Sequence, residues 1–174
     1  MIHELGIRLE PAQLEQFSAV ATLFEKLHSF NASLNEKFTL APNWRETLYE
    51  QFSQTYQSNS ALWLLAWKED QPVGLLTLQA QAASPLFPHC QGIEMTGLYV
   101  EAEFYGTGLA QQLMQTAKTW AESQRASYMF LYVAAQNDRA RAFYRRCGWQ
   151  PAQEIWHMDI TSVSPTHELH DREQ

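Results

Sequence analysis

Apolar residues recur along this chain with two different periods, and the places where the period changes divide it into elements. In GIRLEP, Ile7 and Leu9 alternate with polar neighbours, which predicts a short strand with Pro11 at the start of a helix. From 12 to 29, Leu14, Phe17, Val20, Ala21, Phe24 and Leu27 fall three or four residues apart and predict an amphipathic helix. HSFNASLNEKF, polar and aromatic, reads as a loop or broken helix. Asn43 and Glu46 have the spacing of a capping box opening a helix to about residue 57. Then ALWLLAW (61–67) and PVGLLTLQA (72–80) flank the turn-like KEDQ and predict a hairpin. IEMTGLYV (93–100) is a third extended segment, after the Pro-containing AASPLFPHCQG. Helical spacing returns from Thr107 to about Arg125, with Leu109, Leu113, Ala117, Trp120 and Ala121 on one face. SYMFLYVAA (127–135) reads as a buried strand. Ala140, Phe143, Tyr144 and Cys147 line a helix over 138–147 that Gly148 ends. EIWHMDI (154–160) reads as a last strand, and the polar tail 161–174 is expected to be disordered.

This order predicts a mixed α/β domain over 1–160, with 93–135 as a right-handed strand–helix–strand crossover. The length, 174 residues with 45% apolar and 18% charged, suits one domain with a real core. Aromatic residues make up 13%, including six Trp, which favours a thick core, an aromatic-walled pocket, or both. Twelve Lys and Arg against nineteen Asp and Glu give a net charge of −7. That balance and the lack of a basic stripe argue against nucleic acid as a partner. A cationic small substrate would suit it, and plain solubility explains it as well. Cys90 and Cys147 form no CxxC or Cys/His cluster, so reduced thiols and no metal are expected. MIHELGIRLE lacks the layout of a signal peptide, and no apolar run approaches the ~20 residues of a membrane span. A cytoplasmic protein without membrane partners is expected.

The stretch YVEAEFYGTGLA places two glycines and a threonine between a strand and a long helix. Amides at a helix N-terminus form an anion site, helped by the helix dipole. Gly106 and Gly108 let backbone approach a phosphate without Cβ atoms in the way, Thr107 adds a hydroxyl, and Ala110 keeps the first turn small. No Lys follows Gly108, so this is not a P-loop, and Gln111 breaks a GxGxxG pattern. A tight turn without a ligand is the alternative. The second segment, NDRARAFYRRCGW (137–149), follows directly on the predicted buried strand, with Asn137 at the cap position and Phe143 and Tyr144 on the inner face.

Together these segments resemble the GCN5-related N-acetyltransferase (GNAT) superfamily, which carries [QR]xxGx[GA] after its fourth strand and NxxAxxFYxxxGF after its fifth. Here the first motif is Tyr105, Gly106, Thr107, Gly108, Leu109 and Ala110, and the second is Asn137, Ala140, Phe143, Tyr144, Gly148 and Trp149. The likeness covers about residues 7–160. It implies a mixed, mostly antiparallel sheet of six to seven strands, flanked by about four helices, whose fourth and fifth strands splay apart. Tyr105 stands where the family has Gln or Arg, and Trp149 where it has Phe.

The resemblance further implies acetyl-CoA as cosubstrate and a primary amine of a small molecule or peptide as acceptor, with a homodimer as a common assembly. The pantetheine arm would pair with the backbone of Leu98, Tyr99 and Val100, an N–H near Leu98 polarising the carbonyl. The diphosphate would lie on the 105–110 loop, with Asn137 and Phe143 also at the cofactor. Tyr144 matches the general acid that protonates the departing thiolate; a packed Tyr is the alternative. Asn137 can serve the cofactor, the helix cap, or both. Glu94 stands where many members carry the base, and strand parity would put it on one face with Thr96 and Leu98; an exposed edge carboxylate is the alternative. His28, His89 and Tyr99 are weaker candidates for the base, and His157 reads as a surface residue of the last strand. The rival readings are a non-catalytic acyl-CoA-binding or regulatory module and a purely structural domain.

Overall fold

The run Val73–Leu78, apolar but for Thr77, is buried at every residue, so this strand needs helices on both of its faces. The computed structural model, which describes residues 6–82, 86 and 92–158, provides them. One sheet runs in chain order through β1 (Ile7–Pro11), β2 (Ala61–Lys68), β3 (Gln71–Ala80), β4 (Gly92–Val100) and β5 (Tyr128–Phe130). The first four strands are antiparallel, and β5 is parallel to β4. Between β1 and β2 lie α1 (Phe17–Leu34) and α2 (Trp44–Thr55); α3 (Leu109–Ser123) is the crossover from β4 to β5, and α4 (Asp138–Arg146) follows β5. The mixed α/β class is as expected, with five strands among the described residues rather than six to seven. No helix is long and apolar enough to cross a membrane, among the described residues.

Each face has its own core. On one, Leu76, Leu78, Ile93, Met95 and Val100 pack under Leu109, Leu113 and Ala117 of α3. On the other, Trp63, Leu65 and Leu75 meet Val20, Ala21 and Leu23 of α1 and Leu48 and Phe52 of α2. Phe52 sets its edge on Trp63 at 5.3 Å between centroids, and the Trp63 indole N–H donates to Thr55 Oγ1 at 2.9 Å, so the buried indole keeps its hydrogen bond.

Several boundaries differ from the sequence expectation. Pro11 ends β1 opposite Leu64 rather than opening a helix; at the sheet edge its missing N–H costs no ladder bond. The α1 helix continues through His28 to Leu34, because the break comes only where the Asn35 side chain accepts from Lys37 N and caps a short 3-10 turn. Asn43 is at the α2 cap position, but its side chain makes no capping bond; its carbonyl takes the first helical bond from Thr47 N at 3.2 Å. The predicted strand 127–135 keeps only Tyr128–Phe130, since β4 offers β5 three partners and no strand lies on its other side among the described residues. Glu154–Met158 form no strand: Ile155, Trp156 and Met158 are 76%, 87% and 82% exposed, and His157, also exposed, lies in this coil. Cys90, His89, residues 159–160 and the tail 161–174 lie outside the described residues.

The decisive irregularity is in β4. Thr77 pairs with Gly97, but Leu78 pairs with Met95, so Thr96 is an extra residue, a β-bulge. Simple alternation would keep Glu94, Thr96 and Leu98 together. The bulge reverses it: Leu98 joins Ile93, Met95 and Val100 on the α3 face, while Tyr99 joins the α1/α2 face. The Thr96 hydroxyl bonds that of Thr77 at 2.7 Å. Beside it, a Cβ on Gly97 would come within 2.7 Å of Thr77 Oγ1 and 3.3 Å of Leu27 Cδ2. Gly97→Ala should therefore destabilise the fold by about 1–3 kcal/mol, as overpacking does. Urea unfolding measures it, and an unchanged midpoint would show that α1 does not seat on the bulge.

Candidate active site

The loop after β4 is built to expose amides. Ala102–Phe104 make one 3-10 turn, and Thr107 folds back on it, its N–H and hydroxyl both reaching Phe104 O at 3.3 and 2.7 Å. Gly106 and Gly108 take φ of +76° and +92°, which a residue with a Cβ adopts only with strain. A Cβ at either would point into open space, so the glycines serve the backbone turn and the clearance above it, not packing. The first helical bond of α3 is Gln112 N to Gly108 O at 3.0 Å. Before it, the amides of Gly106, Gly108, Ala110 and Gln111 donate to no group among the described residues, and that of Leu109 reaches Thr107 Oγ1 only at 3.4 Å. No acidic side chain occupies the first turn of this 15-residue helix. The cradle fits a phosphate-bearing ligand.

Next to it the sheet opens. The β4–β5 pairing covers only Gly92–Glu94 against Tyr128–Phe130, so among the described residues the edge of β4 from Met95 to Val100 carries no strand on that side. Glu94 occupies the last paired rung. Its carboxylate accepts from Gln81 Nε2 at 2.7 Å and, by the alternation with Ile93 and Met95, faces α1 and α2. Tyr99 is on that face too, its hydroxyl donating to Glu101 Oε2 at 3.2 Å; burial first, then the Glu101 charge, push its phenol up to about 12. Glu101 also holds the Lys26 ammonium of α1 in an ion pair.

From the β5 side come the residues of the second segment. Asn137 Oδ1 accepts from Ala140 N at 3.1 Å, so Asn137 caps α4 and keeps its amide donors for another partner. Phe143 and Tyr144 are half-buried against the α3-side core, with ring centroids 5.5 Å apart, and Tyr144 also meets Trp149 at 5.9 Å. Burial, then nearby Cys147, push the Tyr144 phenol up to about 12, so it carries its proton at neutral pH. The Arg139 guanidinium of α4 sits over the Tyr105 ring at 4.0 Å and reaches Phe30 of α1 at 5.9 Å. A groove of about 600 Å³ between α3, β5 and the end of α4 is lined by Met114, Met129, Cys147 and Trp149; it touches Gln111 at the edge of the cradle but includes neither residues 105–110 nor Glu94.

The structure thus brings the 105–110 loop, the open β4 edge and the start of α4 around one opening. Glu94 and Tyr144 belong to opposite faces of the sheet and make no contact with each other. His28 is turned into the α1/α2 layer, its ring 4.2 Å from Phe24 and its Nε2 buried without a partner among the described residues; burial lowers its pKa. Sequence reading missed Arg139, Lys26 and Glu101 as parts of this opening. Arg139 lies two residues beyond Asn137 in a segment already singled out, but its contact with Tyr105 exists only in the folded chain. Among the described residues no three His, Cys, Asp or Glu side chains cluster to hold a metal.

The Acetyltransferase (GNAT) family profile matches residues 26–149. A mycothiol acetyltransferase of Jonesia denitrificans is 34% identical over 97 residues, 56% of this chain, which spans 28% of that protein's length. Among solved structures, a mutant of a Bacillus halodurans protein superimposes with a TM-score of 0.77 at 15% identity, covering 88% of this chain and 99% of that one. The aminoglycoside N-acetyltransferase AAC(6')-Iy in complex with CoA superimposes with a TM-score of 0.71 at 11% identity, covering 88% of this chain and 93% of its own. At these identities the solved structures share the fold.

The two perturbed phenols give a test of the site's packing. An unfolded Tyr ionises near 10 and these fold with values near 12, so their contribution to stability is complete below pH 10 and is lost as pH rises through 12. The denaturant midpoint should fall between pH 9.5 and about 11.5, and Tyr144→Phe should make that fall shallower. An equally steep fall in the variant would place Tyr144 in water.

Proposed function

Because the chain belongs to the acetyltransferase (GNAT) family, we propose that it transfers the acetyl group of acetyl-CoA to a primary amine, with both substrates held at once. The observation that carries this reading is the set of free amides at Gly106, Gly108, Ala110 and Gln111 beside a β4 edge without a strand partner. Such a cradle suits a diphosphate, and such an edge suits an extended arm bearing amides.

Acetyl-CoA supplies an activated thioester; the chain's own residues do the rest. The loop amides hold the phosphates, and the edge Leu98–Val100 aligns the arm by backbone hydrogen bonds. The N–H near Leu98 polarises the thioester carbonyl. Glu94, at the last rung before the strands part, takes the proton from the acceptor, directly or through water. Tyr144, kept protonated by burial, gives its proton to the departing thiolate. A phenol near 12 is a weak acid, but the same desolvation disfavours a bare thiolate beside it, which brings the two affinities closer than they are in water. Base and acid on opposite faces of the split sheet suit an amine arriving from the α1/α2 side and a thiol leaving on the α3 side.

The α1/α2 face is aromatic: Phe24, one turn before Leu27 at the bulge, stacks with Trp44 at 5.9 Å, and Tyr99 lies on the same face. These walls favour an amine with an apolar body. The aminoglycoside-acetylating neighbours make a small-molecule amine the first class to try.

Thermal shift with acetyl-CoA, then thiol release with a panel of amines, tests the reading. Ligand at 100 times Kd adds about 2.7 kcal/mol of stability. Tyr144→Phe should cut kcat on the order of 10²-fold with acetyl-CoA affinity unchanged, and Glu94→Gln should lower kcat by a similar factor. Stabilisation without turnover on any amine would favour a non-catalytic acyl-CoA-binding module, and no stabilisation would refute the cradle.

A further inference from the structure

The amide cradle has an electrostatic shortfall. The chain carries a net charge of −7, and Glu101 and Glu103 precede the loop. The first basic residue of α3 is Lys118, seven residues beyond the cradle's last amide. Within the loop and the first turn of α3, only partial charges on backbone amides meet a multiply charged anion. The position where the resemblance places Gln or Arg is Tyr105.

Tyr105 is not without a cation. The Arg139 guanidinium lies 4.0 Å from its ring centroid, and Tyr105 is joined directly to Gly106, the first free amide of the cradle. A cation–π contact uses no hydrogen-bond acceptor, and Arg139 makes no hydrogen bond or ion pair among the described residues. Its five N–H donors remain available. Two carboxylates that could neutralise it are engaged elsewhere: Glu101 pairs with Lys26, and Asp138 lies 3.6 Å from Arg141. Arg141 shows the usual alternative, being tied also to Ala135 O at 2.8 Å. Arg139 is moreover the second residue of α4, at the positive end of that helix dipole, where a cation is unfavourable until an anion joins it. The ring of Phe30, 5.9 Å away, narrows the space the guanidinium can sample.

We propose that Arg139 is a cofactor-binding residue whose guanidinium, pre-positioned on the Tyr105 ring, contacts a phosphate group of the bound CoA. The inference rests on the acetyl-CoA reading above. In this chain the cation has moved from the loop to α4, and the aromatic residue at 105 is its platform. The planar fork of donors suits phosphate oxygens, and a lysine ammonium would match them less well.

Equilibrium binding of the full chain to CoA, and to pantetheine, which lacks the phosphates, separates the outcomes. Arg139→Gln should weaken CoA about tenfold, the scale of one charge-assisted hydrogen bond. It should leave pantetheine binding unchanged and flatten the salt dependence of CoA binding. Arg139→Lys should recover part of the loss. Adding Tyr105→Arg to Arg139→Gln should recover more, because it returns a cation to the loop. Lys68→Gln, which removes an ammonium lying over Phe104 at the β2–β3 turn, should leave the preference for CoA over pantetheine intact. Equal weakening of CoA and pantetheine would overturn the proposal and make Arg139 a tie that sets the cleft width. Undiminished CoA binding by Arg139→Gln would overturn it outright. If the wild-type chain binds no CoA, the acetyl-CoA reading itself fails and this inference falls with it.

Discussion

Everything distinctive here follows from how β4 divides its hydrogen bonds. Along one edge it pairs with β3 for nearly its whole length, and along the other it pairs with β5 for three residues only. A strand edge without a partner is a row of polar groups that need satisfying. In this fold the unpaired row begins where Glu94 ends the ladder and runs towards the glycine loop. The Thr96 bulge lies in the same stretch and decides which side chains look into which half of the molecule. One edge, freed and re-registered, thus parts the residues that face α1 and α2 from those that face α3.

The same constraint explains the contrast between the halves. The sheet up to β4 is enclosed by α1 and α2 on one face and α3 on the other, with Leu65, Val73, Leu75 and Leu76 wholly buried. Past β4, α4 has no fully buried residue, and Tyr132, Ile155 and Trp156 are open to water. A rigid body therefore carries the loop and the bulge, while the second wall is joined by fewer contacts, among them Arg139 on Tyr105. Free energy for opening is expected to be lowest in that wall, where ordered backbone and buried apolar area are least.

Much of this was legible before any coordinates. The apolar periods located β1 to β4 and all four helices, and the two motif segments pointed to the cradle and to Asn137 as a cap. What stayed hidden has physical causes. A bulge inverts parity downstream of itself, so Glu94 and Leu98 look alike in sequence yet face apart; the Thr96–Gly97 pair inside a strand was the available signal. The aromatic stretch after His28 has weak helical spacing, and only the Asn35 cap shows that the helix outlasts it. Glu154–Met158 alternates like a strand, but alternation states a willingness to pair and supplies no partner. Arg139 and Tyr105 are 34 positions apart, and nothing local to either predicts their contact.

Gly97 also limits the routes by which this protein can change. Its missing Cβ is matched to a hydroxyl on the neighbouring strand and a methyl of the helix above, three elements fixed by one absent carbon. A Cβ at 97 costs less once Thr77 has lost its Oγ1, whereas shortening Thr77 first costs a single hydrogen bond to Thr96. The two substitutions are therefore not interchangeable in order, because neighbours in contact do not contribute additively. Any redesign of this face that begins at position 97 therefore meets the Thr77 hydroxyl first, and one that begins at position 77 does not.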